Sequence, residues 1–363
     1  MRYKISKDDF IGFLKKLLEK EEVSEILSGE GKRNRYTINP KFISEKQDLT
    51  DFPLSQLMVY NYNSINSAAN KIRMSGKSLN QKIAIIGHAC DVRALIELDK
   101  KKQADFDNLF LISFEDAGYI GGKDKRMFFR KTLDFDEEKI VYERLTQKEL
   151  ILKLDDGNIK KFELGDKIDI NKNCRCCSRK SHPAADVLIS TYALPEKSEE
   201  FILTPNSTKA ELLIEDMKWD SKKVDGGFED QYSKIAQSLM ETCEKNRLND
   251  YEDWKSKPVN QKICLYDTCV GCGMCVRSCP VCFCKSCNIH EKLKAKEIDQ
   301  RTFLITRFAH VGDTCISCGK CEVNCPVNIP LTSVFREIQA HLKERREYEA
   351  GKDRKQKVFS LDF

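Results

Sequence analysis

Two stretches of this chain share one cysteine spacing. Cys269-Val-Gly-Cys272-Gly-Met-Cys275-Val-Arg-Ser-Cys279-Pro280 and Cys315-Ile-Ser-Cys318-Gly-Lys-Cys321-Glu-Val-Asn-Cys325-Pro326 both read C-x2-C-x2-C-x3-C-P. Three cysteines this close wrap three irons of a cubane 4Fe–4S cluster. Small residues between them let the backbone turn tightly and offer N–H groups to sulfur. The fourth cysteine, held by the proline, reaches the other cluster. The pattern therefore assigns one cluster to Cys269, Cys272, Cys275 and Cys325, and the other to Cys315, Cys318, Cys321 and Cys279. Zinc knuckles prefer two separated C-x2-C pairs that close a tetrahedron, which these runs do not offer. An overlapping Cys275-x3-Cys279-x2-Cys282 has the spacing of radical S-adenosylmethionine enzymes. It would take Cys275 and Cys279 out of a pattern that the second run repeats, so it is set aside.

The chain has 363 residues, enough for two or three domains. Its cysteine count is 17, an odd number, and most cysteines lie two or three residues apart. Neighbours at that spacing make poor disulfide partners and good metal ligands. The opening MRYKISKDDF has no apolar leader. A reduced cytoplasmic setting and a low-potential, anaerobic chemistry are expected. Charged residues make up 33%, and no run approaches the ~18 apolar residues of a membrane span. A net charge of +5 is too small at this length to argue for nucleic acid as a partner.

Along the chain, Phe10, Phe13, Leu14, Leu17 and Leu18 recur at helical spacing and predict a helix within residues 1–30, followed by a polar SGEGKRN connection. From about 55 to 125 the pattern is α/β. Ile83–Ile86 reads as a buried strand, Gly87–Asp91 as a loop with Asp91 as N-cap, and Val92–Leu98 as a helix. Leu109–Phe114 reads as a second strand, ahead of the Gly-rich Asp116–Gly122. Such sheets gather ligands at the loops beyond the strand ends, where Cys90 and Asp116 fall. Residues 140–170 alternate like short antiparallel strands around an Asp156-Gly157 turn. Residues 220–262 read as helical with a break at Trp254–Pro258. The expected divisions are an N-terminal helical segment at 1–50, an α/β domain at 51–258, and a ferredoxin-like two-cluster domain at 259–345 carrying an insertion at 281–314. A charged tail at 346–363 reads as solvated, or as a docking peptide using Val358, Phe359, Leu361 and Phe363.

The insertion opens with Cys282, Cys284 and Cys287. With a fourth donor such as His290, His310 or Cys176, they would hold a further cluster or a zinc ion; otherwise they are free thiols. In the α/β half, Cys90, Cys174 and Cys177 supply three donors from separate loops for another cluster. Asp116 is either its fourth ligand, a harder donor than thiolate, or a turn residue. Cys243 and Cys264 read as buried thiols. No G-x-G-x-x-G follows a strand, and no P-loop or G-x-S-x-G is present. His88 is placed to bond a cofactor or is incidental. Arg93, at a helix start, would pair with a phosphate or is a surface charge.

Several segments carry a resemblance: Gly87-His-Ala-Cys90-Asp91-Val-Arg93-Ala-Leu-Ile-Glu97-Leu, Cys174-Arg-Cys-Cys177 with Ala184-Ala-Asp186, Cys279-Pro-Val-Cys282-Phe-Cys284-Lys-Ser-Cys287, and Arg307-Phe-Ala-His310-Val-Gly-Asp-Thr-Cys315. On these residues the chain resembles the coenzyme F420 hydrogenase/dehydrogenase beta-subunit family, in its formate dehydrogenase beta-subunit-like branch. The resemblance covers nearly the whole chain. It implies an α/β flavin domain with FAD beside a 4Fe–4S cluster, followed by the two-cluster module. Gly87, His88 and Arg93 are then the candidate FAD contacts, and Cys90, Cys174 and Cys177 match the flavin-proximal cluster ligands. At 116 the chain departs, with Asp where the family often has Cys. The implied role is an iron–sulfur flavoprotein subunit. FAD would convert a two-electron carrier into single electrons, passed to or from a catalytic dehydrogenase or hydrogenase subunit or a heterodisulfide-reductase-like electron carrier. The competing readings are a flavin-free linker subunit and a free-standing enzyme.

Overall fold

Two apolar runs lie at the centre of the protein, and every residue but one in them is buried. The computed structural model describes residues 1–30, 38–60, 62, 67–121, 135–165, 168–282, 284 and 286–359. The two runs are strands β4 (Ile83–His88) and β5 (Leu109–Glu115). They join β1 (Tyr3–Ile5), β2 (Glu25–Gly29), β3 (Pro40–Ile43), β11 (Val187–Ser190) and β12 (Phe201–Pro205) in a seven-stranded sheet ordered β1-β12-β11-β5-β4-β2-β3. The four central strands β11, β5, β4 and β2 are parallel; β12 and β3 run antiparallel to them, and β1 pairs antiparallel with β12 at the edge. Near-continuous hydrophobicity is what parallel strands covered on both faces require. Strands β6 (Ile120–Gly121) and β10 (Asp169–Ile170) pair separately, and β7 (Ile140–Leu145), β8 (Glu149–Leu154) and β9 (Ile159–Glu163) form an antiparallel meander with Asp156-Gly157 between the last two.

Register positions the chemistry. His88 of β4 stands opposite Phe114 of β5. Cys90 and Asp116 each follow that pair by two residues, so both emerge at the same end of the sheet. The helix after β4 spans Ala89–Lys100 and starts earlier than its apolar spacing suggested. His88 is its N-cap; Asp91, expected in that place, sits in the first turn, where its Oδ2 accepts from His88 N at 3.1 Å.

The N-terminal 50 residues are not simply helical. The Lys7–Glu19 helix, capped by Ser6, buries Phe10, Phe13, Leu14 and Leu17 as its spacing predicted. It is flanked by β1, β2 and β3, which belong to the main sheet. The polar helix of 220–262 spans Gly226–Ser256 and breaks before Pro258. Beyond it, helices Val259–Asp267, Gln300–Val311 and Leu331–Arg346 pack around a second core that contains Phe303, Phe308, Phe335 and three cysteines of the motif runs. Among the described residues no helix is long and apolar enough to cross a membrane.

The segment after Arg346, expected as a charged tail, folds back onto the α/β half. Tyr348, Ala350 and Val358 are buried, and Phe359 packs on Tyr348 with ring centroids 5.2 Å apart. The apolar end therefore packs against its own chain; Leu361 and Phe363 lie outside the described residues. Buried polar groups hold this strap. Gly351 N and Tyr348 Oη donate to Glu97 at 2.6 and 3.2 Å, and His182 Nε2 donates to Gly351 O at 2.8 Å.

Candidate iron–sulfur relay

The two cysteine runs fold alike. Each places a glycine, Gly273 or Gly319, at positive φ before a one-turn helix, Met274–Arg277 or Lys320–Val323. In each, the first cysteine sulfur accepts from the backbone N–H two residues on, Gly271 N to Cys269 Sγ and Ser317 N to Cys315 Sγ, both at 3.4 Å. These are the amide-to-sulfur contacts that such loops provide to clusters. Gly319 has a second duty: a Cβ there would lie 1.9 Å from Asn173 Nδ2, so only glycine admits the α/β half this close.

The grouping of thiols crosses between the runs. Cys315, Cys318 and Cys321 line a cavity of about 340 Å³ together with Cys279 from the first run. Cys325 of the second run lies close enough to Cys269 for the two to interact electrostatically, and Cys275 likewise senses both Cys269 and Cys272. This arrangement supports the crossed assignment. Arg307 sits by the seam, buried, donating to Cys275 O at 2.6 Å. Burial opposes its charge, but Cys279 and Cys275 outweigh burial and hold its pKa above the usual arginine range.

A further cavity, about 510 Å³, opens at the carboxyl ends of β4 and β5. Cys90, Cys174 and Cys177 line it with His88 and Asp116, so loops far apart in sequence bring the predicted donors together. Ile316, Ser317 and Cys318 of the second run close its far side, and the same three residues wall the second-run cavity. Lys320 is buried between these sites, its Nζ 3.6 Å from Asp91 Oδ1. Burial disfavours its charge, yet Asp91, Cys90 and Cys318 together raise its pKa. Lys180 Nζ donates to the carbonyls of Ala117 and Cys174, both at 2.8 Å. Neither ammonium was visible as a site residue from sequence, although Lys320 lies inside a motif.

Thiol protonation follows from this burial, which pushes Cys174 and Cys315 up to about 12 and Cys275 and Cys318 up to about 11. Burial, with Asp91 adding to it and Lys320 opposing, raises Cys90 well above the ordinary thiol value. These thiols are protonated without metal at neutral pH, so cluster loading releases protons.

The other expected site residues fall differently. Arg93, a candidate phosphate partner, is buried, lines the proximal cavity and the polar groove beside it, and clasps two carbonyls, Ile316 O and Ala350 O, both at 2.7 Å. It ties the second-run loop and the strap to the 89–100 helix. Gly87 packs on the Asp91 carboxylate, 2.9 Å from where its Cβ would be, and is not among the residues lining the cavity. Asp116 makes the turn bond from Gly118 N to Oδ1 at 2.7 Å and also faces the cavity. Cys282, Cys284 and Cys287 are neighbours, but the donors considered for them are elsewhere: His290 Nε2 donates to Gly271 O at 2.9 Å, His310 is exposed, and Cys176 lies near Arg336 and Asp250. Among the described residues no three or more His, Cys, Asp or Glu groups converge on a single metal ion, which leaves the zinc reading of 282–287 without support. Thiolates around a cubane stand farther apart, because each holds a different iron. Cys243 is buried, its Sγ 3.7 Å from Cys174 O, whereas Cys264, expected buried, is exposed.

Gly118 has φ of +124°, and a Cβ there would lie 2.4 Å from Cys174 Cβ. Gly118→Ala is therefore expected to displace Cys174. The measurement is iron and sulfide content: a loss of about four irons with both ferredoxin-type EPR signals retained is expected, and unchanged content would contradict the role given to this loop.

Comparison with known proteins agrees with this layout. Residues 80–223 match the family model for the C-terminal part of the coenzyme F420 hydrogenase/dehydrogenase beta subunit, and residues 266–329 match a 4Fe-4S dicluster domain. The chain is 28% identical over 294 residues to F420-dependent formate dehydrogenase 1 subunit beta of Methanococcus maripaludis, covering 75% of this chain and 73% of that one. It is 26% identical over 361 residues to F420-dependent formate dehydrogenase subunit beta of Methanocaldococcus jannaschii, covering 93% and 90%. A chain of the F420-reducing [NiFe] hydrogenase complex from Methanosarcina barkeri superposes with a TM-score of 0.56 at 11% identity, over 72% of this chain and 94% of that one, which is a likeness of fold. With its parallel sheet, its loop cysteines and its paired motif runs, the chain belongs to the coenzyme F420 hydrogenase/dehydrogenase beta-subunit family, in the formate dehydrogenase-like branch that ends in a 4Fe–4S dicluster domain.

Proposed function

We propose that this protein is the electron-relaying iron–sulfur flavoprotein subunit of a larger oxidoreductase. Single electrons would pass between FAD and a partner catalytic subunit through three clusters in a fixed order. The proximal site is Cys90, Cys174 and Cys177; the inner is Cys279, Cys315, Cys318 and Cys321; the outer is Cys269, Cys272, Cys275 and Cys325. The observation that carries the order is the shared wall: Ile316, Ser317 and Cys318 border both the proximal and the inner cavities. The outer site lies at the surface beside exposed Val270, where a redox partner has access.

FAD would occupy a polar groove of about 730 Å³ that borders the proximal cavity and shares Arg93, Cys177, Arg179 and Ser317 with it, a volume within the ~300–1,000 Å³ of common ligand pockets. Arg179, Arg247 and Lys343 would hold the diphosphate, in exchange for their present partners Glu349 and Glu244. The bound flavin would supply the exchange between an electron pair and single electrons, which the protein orients and tunes. The relatives' names bring coenzyme F420 as the two-electron carrier and a formate dehydrogenase as the complex. One observation favours the flavin-free linker instead: Gly87, expected to touch the flavin, packs on the Asp91 carboxylate.

Cofactor content of anaerobically purified protein separates the two. About one FAD with about twelve irons is the expected result. Clusters without flavin would reduce the chain to a linker.

A further inference from the structure

A cubane cluster takes four protein donors, and the proximal cavity supplies three thiols. The fourth donor must come from its wall. Cys318 belongs to the inner set, and Lys180 and Arg179 carry no free lone pair as cations. Among the other lining residues, the carboxylate of Asp116 and the imidazole of His88 are the strong donors, while Tyr119, Asn173 and Ser317 offer only neutral hydroxyl or amide oxygens. Asp116 Oδ1 accepts from Gly118 N at 2.7 Å; Oδ2 makes no hydrogen bond, but it stands 2.9 Å from His88 Nδ1, in ion-pair range, which ties the carboxylate to the imidazole. His88 is buried, with its ring held against Phe114 edge-on at 5.3 Å and near Tyr119 at 6.0 Å. Its Nε2 is buried without a hydrogen-bond partner, in a side chain that lines the cavity.

We propose that His88 Nε2 is the fourth ligand of the proximal cluster, and that Asp116 is the carboxylate that orients it. This rests on the reading of Cys90, Cys174 and Cys177 as a cluster site. Histidines that ligate a metal commonly give their other ring N–H to a carboxylate, which sets the tautomer and raises ligand basicity. In that arrangement Nδ1 would face Asp116 and the Nε2 lone pair would be the one offered to iron. An orphan buried nitrogen otherwise carries an uncompensated desolvation cost, which ligation removes. Imidazole in place of thiolate leaves the cluster one unit less negative. As in other histidine-ligated clusters, this raises its reduction potential, as suits a cluster that accepts electrons from a donor beside it. His88 lies two residues before Cys90, so one strand end supplies two of the four ligands.

The test uses the holoprotein, purified anaerobically from cells grown with 15N-histidine or with natural histidine. Pulsed EPR on the third cluster signal is expected to show one strongly coupled histidine nitrogen that changes with the isotope. His88→Cys is expected to keep about twelve irons, lose that coupling and shift the third cluster to lower potential. Asp116→Asn is expected to retain the cluster with an altered nitrogen coupling. About twelve irons with no histidine coupling overturns the assignment, as does loss of the cluster in Asp116→Asn with its retention and unchanged potential in His88→Cys. Eight irons and no third signal in the unmodified protein overturns the underlying three-thiol reading, and this proposal with it.

Discussion

Cys279→Ala is expected to remove the cluster of the second run and spare that of the first. Cys279 follows Cys269, Cys272 and Cys275 in sequence, yet it lines the cavity made by Cys315, Cys318 and Cys321. Loss of one thiolate leaves an iron without its ligand and a buried, cationic Arg307 without the charge it faces. Iron content should fall by about four. The surviving ferredoxin-type signal should be that of the outer site. Because the inner cluster stands between the other two, reduction of the outer cluster from the proximal side should slow by orders of magnitude. Cys325→Ala is the mirror case: the outer signal disappears and the inner one remains. If Cys279→Ala removes the outer signal, each run keeps its own fourth cysteine and the crossed arrangement is wrong.

Glu97→Ala is expected to be the most destabilising single change in the α/β half. Glu97 is fully buried, pairs with Lys100 at 2.7 Å, and accepts from Gly351 N and Tyr348 Oη in the strap. Removing it leaves a nearly buried ammonium and a buried backbone N–H without partners. Breaking a buried pair from one side costs about 3–5 kcal/mol. Urea denaturation should read a loss of that order, and trypsin should cut at Lys352 and Arg354 sooner than in the parent protein. Glu97→Gln keeps the side chain's size and one of the two acceptor oxygens, so it can still accept from Gly351 N or Tyr348 Oη, and its loss should be clearly smaller. Equal stability of Glu97→Ala and the parent would show that the strap is held without this residue.

Much of the centre was legible without a structure because its signals are local. The runs Ile83–Ile86 and Leu109–Phe114 have the length and apolarity of covered parallel strands, and they are β4 and β5. The meander around Asp156-Gly157 was legible from alternation and its turn residues. Where signals were weak, the reading failed. Tyr3–Ile5 and Glu25–Gly29 are too short to show a period beside the stronger helix, and they are strands. The residues after Arg346 are highly charged, and charge predicts solvent. A few buried apolar side chains, with Glu97 and His182 as polar anchors, were enough to fold them back.

The segment Gly87–Leu98 shows the same division at a finer scale. Its residue types announced a special site, but not which task each performs. Cys90 faces the cavity, Asp91 caps the helix and faces Lys320, and Arg93 and Glu97, four apart and so on one face of the helix, hold the second-run loop and the strap. The structural task of Arg93 could not be read locally, because its carbonyl partners lie 223 and 257 positions away.

By itself, the sequence determined the two 4Fe–4S motifs, since the first three cysteines of each run lie within a few residues of one another and spacing alone sets that geometry. It also determined the parallel core, since strand apolarity is a property of a few adjacent residues. Only the tertiary structure decided that the second-run loop forms a wall of the α/β cavity, that Lys320 is buried between the two sites, that the C-terminal segment is a strap, and that His88 Nε2 is a buried nitrogen without a hydrogen bond in a side chain that lines the cavity of three thiols. Each of these joins residues from distant segments. No local period or spacing encodes such contacts; they arise when the sheet, the ferredoxin-like module and the strap are packed together.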